Sequence, residues 1–111
     1  MPDRSNADEL FAGLARTMTE RPGVAVGAGR GFGANALQVD GRIFAMVTDG
    51  HLVLKLPSRR VAELITDGLG ATFDAGKGRP MKEWVVVRDR SGESWPGLAE
   101  EARSFVRAGR T

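Results

Sequence analysis

Two Asp-Gly pairs, Asp40-Gly41 and Asp49-Gly50, separate three short apolar segments in the first half of the chain. The segments read ALQV, RIFAMV and HLVLKL. An Asp-Gly pair between alternating apolar segments is a strong signal for a β-hairpin, because both residues of the tight turn take positive φ. Two such signals in succession predict a three-stranded antiparallel meander, and no other feature of the chain constrains the fold as much.

Helical patterns lie on both sides of this meander. The stretch SNADELFAGLARTMTE predicts a first helix, with Ser5 as its N-cap and apolar residues at helical spacing. A second helix is predicted after the meander, capped by Ser58 and ended by Gly68. A third helix is predicted from Pro96 to Ala108.

Two further strands are predicted between the second and third helices, one at Ala71 to Phe73 and one in the β-branched run EWVVVRD. The element order is then α-β-β-β-α-β-β-α. Because the strands cluster as hairpins, the predicted class is α+β, in two layers, with a mainly antiparallel five-stranded sheet and helices on one face. The 111 residues suffice for one compact domain, so we expect a single domain over residues 1–111.

A glycine-rich stretch, VAVGAGRGFGAN, precedes the meander. Gly29, Gly31 and Ala34 have the G-x-G-x-x-A spacing of a dinucleotide-binding loop. Such a loop needs a helix after it, whose N-terminus faces the pyrophosphate, whereas the residues that follow predict a strand. A second segment, GLGATFDAGKG, lacks the Walker A spacing. We therefore predict a loop or a distorted edge strand and no cofactor.

Residue types that carry out catalysis are scarce in this chain. It has no cysteine, which excludes a disulfide, a thiolate zinc site and a cysteine nucleophile. His51 is the single histidine, and it flanks a hairpin turn. No serine lies in a G-x-S-x-G elbow, and no acidic pair has the spacing of an acid-base couple. We predict no catalytic residue and no metal site, and a binding protein rather than an enzyme.

Targeting signals are also missing from the sequence. No segment has the order of a signal peptide, and no apolar run approaches the roughly 20 residues that span a bilayer. We expect a cytoplasmic protein with no membrane partner.

Basic side chains lie close together in the second half of the chain, beside an aromatic residue. These binding candidates are Lys77, Arg79, Lys82, Trp84 and Arg88, within a segment that ends at Arg90. Such a set can bind a phosphate backbone and stack a base, so a nucleic-acid-binding protein that uses this segment is one alternative. The small formal charge of +2 favours a solvated loop with Trp84 packed beside it. A small-ligand binder or enzyme, with a pocket near the glycine loop, is another alternative.

The predicted meander has a second face that is half apolar. A two-residue turn at the second Asp-Gly pair places Ala45 opposite Leu54 on the face under the helices. The other face then carries the binding candidates Phe44, Met46 and Lys55. A half-apolar sheet face is a candidate docking surface for a second copy of the chain or for a partner.

The register of the first hairpin leaves two alternatives open. A two-residue turn puts Leu37 and Val39 on the mixed face, whereas one extra turn residue returns both to the core. The first alternative strengthens the docking hypothesis.

Three longer segments carry a family resemblance. FGANALQVDGRIFAM, HLVLKLPSRRVAELI and FDAGKGRPMKEWVVV, in this order and spacing, resemble the TfoX N-terminal-domain-like family, whose shape is shared by YjbR/MmcQ-type proteins. The match covers about Phe32 to Val87. It implies an α+β domain with helices packed on a largely antiparallel sheet, and it implies no catalytic residues. Gly76 to Trp84 resemble the family and are binding candidates.

The residues and the resemblance together predict a small, non-catalytic binding or regulatory domain. Its partner is an unidentified protein or a second copy of the chain, as in a homodimer.

Overall fold

The described part of the chain, residues 3–27, 36–74, 78 and 81–109 of a computed structural model, forms three helices and six strands. In chain order these are α1 (Asp3–Met18), β1 (Val24–Val26), β2 (Leu37–Val39), β3 (Arg42–Thr48), β4 (His51–Lys55), α2 (Ser58–Thr66), β5 (Gly70–Thr72), β6 (Trp84–Val87) and α3 (Trp95–Ala108). The predicted α+β class is confirmed. The predicted strand count is wrong by one, because β1 adds an edge strand before the meander.

The six strands form one sheet in the order β1-β2-β3-β4-β6-β5, and all neighbouring pairs are antiparallel. Both Asp-Gly pairs have positive φ, with 52° at Asp40, 84° at Gly41, 54° at Asp49 and 79° at Gly50. Positive φ at both central residues is typical of a type I′ turn, whose twist matches that of the flanking strands. The predicted meander, β2 to β4, is confirmed.

All three helices pack on one face of the sheet and share one apolar core with it. Its largest fully buried side chains are Phe44, Leu37, Leu52, Leu54, Leu56 and Val85, and the helices contribute Phe11, Leu14, Leu64, Trp95 and Val106. The predicted placement of the helices on one face is therefore confirmed.

The predicted N-caps of the first two helices are wrong. α1 begins at Asp3, so Ser5 lies inside the helix rather than before it. α2 begins at Ser58, and Pro57 is the N-cap residue, with no side-chain cap bond. The Pro57 carbonyl accepts the first helical hydrogen bond, from the N–H of Val61 at 3.0 Å, which moves the cap one residue earlier.

The predicted end of α2 at Gly68 is confirmed. Gly68 has a φ of 78°, and its N–H donates to the Ile65 carbonyl at 3.1 Å. The N–H of Leu69 donates to the Leu64 carbonyl at 2.9 Å. These two bonds form a Schellman motif, in which a left-handed glycine lets the chain satisfy the last helical carbonyls.

A β-bulge in β3 decides which side chains face the helices. Leu37 pairs with Ala45, whereas the next residue, Gln38, pairs with Ile43, so Phe44 is an extra residue on β3. A bulge interrupts the regular alternation of side chains along a strand. Phe44 and Ala45 therefore both lie in the helix-side core, fully buried, while Ile43 packs on the other face.

The bulge corrects one prediction and decides between two alternatives. The placement of Phe44 on the face away from the helices is wrong, because the bulge directs it into the core. Val39 pairs with Arg42 across a two-residue turn, yet Leu37 and Val39 are both buried on the helix side. The extra residue that returns them to the core lies in β3 rather than in the turn. The predicted pairing of Ala45 with Leu54 is confirmed.

The face away from the helices carries a second, smaller apolar cluster. Its buried members are Ala36, Met46, Val53 and Phe73, and the partly buried side chains around them are Ile43, Met81, Trp84 and Val86. Phe73 and Met81 come from the segment between β5 and β6, where the Met81 N–H donates to the Phe73 carbonyl at 2.8 Å. Met46 is only 5% exposed, so the expectation that it offers a docking surface is wrong.

The loop between β6 and α3 is organised by the carboxylate of Asp89. Its Oδ1 accepts from the hydroxyl of Ser91 at 2.7 Å, and its Oδ2 accepts from the hydroxyl of Ser94 at 2.7 Å. The backbone N–H groups of the same serines donate to it as well. These donors, led by the two hydroxyls, hold the pKa of the Asp89 carboxyl well below its usual range. The Asp89 carbonyl also accepts from the indole N–H of Trp95, the first residue of α3, at 2.9 Å.

Replacing Phe44 by alanine should lower the free energy of unfolding by about 3–5 kcal/mol, because the change leaves a cavity among fully buried side chains. Ile43→Ala is the matched control, one residue earlier and partly exposed on the other face, and its loss should be clearly smaller. Urea unfolding followed by circular dichroism measures both. A larger loss for Ile43→Ala would contradict the assigned bulge.

Asp89→Asn should destabilise the protein near neutral pH and have less effect in acid. A carboxyl with a lowered folded-state pKa contributes stability above its unfolded pKa of about 3.9, and this contribution is lost as pH falls through the folded pKa. The difference between wild type and variant should therefore shrink below about pH 4. Urea unfolding near pH 7 and near pH 3 measures it, with the exposed Asp67→Asn as control. A difference that stays constant between the two pH values argues against the assigned role.

Candidate functional site

Three of the predicted binding residues meet at one end of the sheet, where β4 ends and β6 begins. Lys55 is the last residue of β4 and pairs with Trp84, the first residue of β6. Lys82 lies in the turn that precedes β6. We call this place the strand-end site and define it by Arg42, Lys55, Lys82, Glu83 and Trp84.

Two adjoining hollows at this end of the sheet share Lys55, Glu83 and Trp84 among their lining residues. The smaller hollow, of about 490 Å³, is also lined by Ser58, Met81 and Lys82. The larger hollow, of about 630 Å³, is also lined by Arg42, Ile43 and Phe105. Both volumes lie within the range of about 300–1,000 Å³ that is usual for ligand sites, and both hollows open to solvent.

The ammonium group of Lys55 lies beside both an aromatic ring and a carboxylate. Its Nζ is 5.7 Å from the centroid of the Trp84 ring, within cation–π distance. The same Nζ is 4.0 Å from Oε1 of Glu83, at the outer limit of an ion pair. Both side chains are partly exposed, so the ion pair contributes little to stability. Lys55 can therefore exchange Glu83 for an anionic group of a ligand at small cost.

Trp84 forms a wall of the strand-end site and is not a free stacking platform. Lys55 lies over its ring, and the ring also packs against Phe73, with centroids 6.3 Å apart and planes tilted by 48°. Its side chain is half-buried at the edge of the second apolar cluster. Base stacking needs an open aromatic face, so these contacts favour the packed-tryptophan interpretation.

Positive charge dominates the strand-end site. Arg42, Lys55 and Lys82 are cationic, and Glu83 is the one carboxylate among the described residues that line the two hollows. Within the described part of the chain, Arg42 and Lys82 form no ion pair. A concave surface with this charge balance attracts anionic groups.

Arg88 does not join the strand-end site. It is exposed beyond the opposite end of β6, where its backbone N–H donates to the Leu69 carbonyl at 3.0 Å. His51 also lies apart from the site, and both of its ring nitrogens are engaged. Nε2 accepts from the guanidinium of Arg90 at 3.2 Å, so Nδ1 carries the proton and donates to the Asp49 carbonyl at 3.1 Å.

Several predicted features fall on residues that the structure does not describe. Lys77 and Arg79 lie outside the described residues, as do Gly76 and the cluster from Gly29 to Ala34. Neither the dinucleotide-loop interpretation nor the role of these two basic residues is tested. Residue 78 is described, and its φ of 80° is of the kind that favours glycine.

Sequence reasoning missed two members of the strand-end site, Arg42 and Glu83. A signal for Arg42 was available, because the start of β3 lies beside the end of β4 in an antiparallel hairpin with a two-residue turn. Glu83 stands between two residues that the sequence singled out, Lys82 and Trp84.

Two other kinds of feature are absent from the described residues. In residues 3–27, 36–74, 78 and 81–109, no three acidic or histidine side chains are grouped as metal ligands would be. Over the same ranges, no helix has the length and apolar character needed to cross a bilayer.

No protein-family model, curated protein or solved structure matches this chain. The resemblance to the TfoX N-terminal-domain-like family therefore stays a prediction.

Trp84→Ala should lower the free energy of unfolding by about 2 kcal/mol or more, since the ring packs against Phe73 and the second apolar cluster. Trp84→Phe keeps an aromatic contact and should cost much less. Chemical denaturation measures both variants. Losses within about 0.5 kcal/mol for Trp84→Ala would instead indicate an exposed platform.

Proposed function

We propose that this chain is a small, non-catalytic binding domain and that it binds an acidic partner protein at the strand-end site. The observation that carries the proposal is the convergence of Arg42, Lys55 and Lys82 on two adjoining hollows that contain one carboxylate. Complementary charge speeds encounter and selects partners, as a binding domain requires. A regulatory role in the cytoplasm, as a TfoX-like domain, fits such binding.

Two carboxyls of the described residues have clearly lowered pKa values, and neither lines the strand-end site. Catalytic acids and bases usually have perturbed pKa values at a cleft. The two carboxyls with lowered pKa values, Asp89 and Glu100, owe them to structural partners outside the strand-end site. For Glu100 the cause is first the hydrogen bond from Arg103, and then the charges of Arg103 and Arg21.

A small anionic ligand is a second candidate, and the volumes of the two hollows favour it. Hollows of about 490 and 630 Å³ are large enough for a metabolite with a carboxylate or phosphate group. Lys55 would neutralise that group beside the wall that Trp84 forms.

The proposal predicts that a short poly-glutamate peptide binds the wild-type protein and that binding weakens as salt rises. The double variant Lys55→Gln/Lys82→Gln should lower the affinity by about tenfold or more, through loss of two charge contacts. Arg88→Gln is the matched control, an exposed cation outside the site, and should change little. Titration followed by tryptophan fluorescence measures the affinities.

Three results would count against this function. One is the absence of peptide binding even at low salt. Another is an equal loss of peptide affinity in Arg88→Gln, which would mean that the whole basic segment, and not the strand-end site, binds the peptide. The third is tighter binding of a single-stranded oligonucleotide with a contribution from Arg88, which would favour the nucleic-acid alternative. Native mass measurement on the free protein tests a second copy as the partner.

A further inference from the structure

A cleft between α2 and α3 lies next to the strand-end site and belongs to neither of its hollows. It has a volume of about 520 Å³ and is lined by Leu56, Pro57 and Arg60 and by residues of α3, among them Gly97, Phe105 and the two glutamates Glu100 and Glu101. Phe105 is partly buried against the helix-side core, and Pro57 is exposed beside it. These two residues give the cleft an apolar floor, and the fully buried Leu56 lies beneath it.

The charged side chains that line the cleft all have ion-pair partners already. Arg60 donates through Nε to Glu101 at 2.9 Å and through Nη2 to the same carboxylate at 3.3 Å, which links α2 to α3. It also donates to Glu63 at 3.2 Å. Glu100 accepts a hydrogen bond from Nε of Arg103, and its Oε1 lies 3.4 Å from Nε of Arg21. What the cleft offers to a ligand is consequently its apolar floor.

The cleft and the strand-end site form one continuous surface. Phe105 lines both the cleft and the larger hollow. Pro57, in the cleft, is followed directly by Ser58, in the smaller hollow. The surface is thus apolar at the α2–α3 end and cationic at the end that holds Lys55 and Arg42.

We propose that the partner presents an extended acidic peptide that also inserts one apolar side chain into the α2–α3 cleft. The acidic side chains then contact Lys55 and Arg42, while the apolar side chain packs on Pro57 and Phe105. This inference rests on the proposed function, because it names the chemistry of the partner that binds the strand-end site. The charge of one end and the apolar floor of the other are complementary to such a segment.

Gly97 allows the cleft to be filled without weakening the fold. It lies in the first turn of α3, and a Cβ added to it would meet no heavy atom within 4 Å. Alanine and leucine both form helices better than glycine does, so Gly97→Ala and Gly97→Leu should both keep or raise the melting temperature. Only the leucine side chain is large enough to occupy the cleft.

The test uses two synthetic peptides of equal charge, a poly-glutamate peptide with one central leucine and the same peptide with serine in its place. Wild type and Gly97→Ala should bind the leucine peptide about tenfold more tightly than the serine peptide. Gly97→Leu should lose this preference and keep its affinity for the serine peptide. Melting curves establish that both variants fold.

The outcomes separate this inference from the proposed function. If the serine peptide binds with dependence on Lys55 but leucine adds no affinity, the apolar anchor is wrong and the proposed function stands. If Gly97→Leu retains the leucine preference, the anchor lies elsewhere than in the cleft, and the inference is again overturned. If neither peptide binds the wild type, the inference and the proposed function both fail.

Discussion

The bulge at Phe44 is the constraint on which the rest of the structure depends. β3 lies near the centre of the sheet, between β2 and β4, and it supplies side chains to both apolar clusters. The extra residue lets Phe44 and Ala45 enter the helix-side core while Ile43 reaches the other face. The two-residue turn pairs Arg42 with Val39, the bulge turns this pair to the helix side, and paired residues share a face. Arg42 is thereby directed to the side of the sheet where α3 ends, in the larger hollow.

The local turns could be predicted from the sequence, and the bulge could not. An Asp-Gly pair sets its own backbone geometry, so the meander and the end of α2 at Gly68 were predictable from few residues. In RIFAMV the five residues after Arg42 are all apolar, and no polar residue among them marks which side faces water. Either phase of side-chain alternation is then compatible with the pattern, and only packing against the helices decides between them. The predicted count of five strands omits β1, which has just three residues and lies in the stretch predicted as a loop or a distorted edge strand.

The members of the candidate site were mostly predictable, whereas their assembly was not. Lys82 and Trp84 were predicted from residue type, and Lys55 from its place on the second face of the meander. They meet because β6 inserts between β4 and β5, a pairing that no local pattern specifies. A prediction made from neighbouring residues in the sequence treats the basic residues from Lys77 to Arg90 as one binding segment. The sheet instead divides that segment, since Trp84 and Arg88 lie at opposite ends of β6.

The strand-end site is built on backbone that is already ordered by the fold. The N–H of Leu56 donates to the Glu83 carbonyl at 3.0 Å, and the N–H of Trp84 donates to the Met81 carbonyl at 3.2 Å. Trp84 in turn packs on Phe73, so the second apolar cluster holds one wall of the site. A ligand therefore has to immobilise little beyond the lysine and arginine side chains, and this limits the entropic cost of binding. Selectivity for a partner then depends on the positions of the charged side chains, because the Trp84 ring already contacts Lys55 and Phe73.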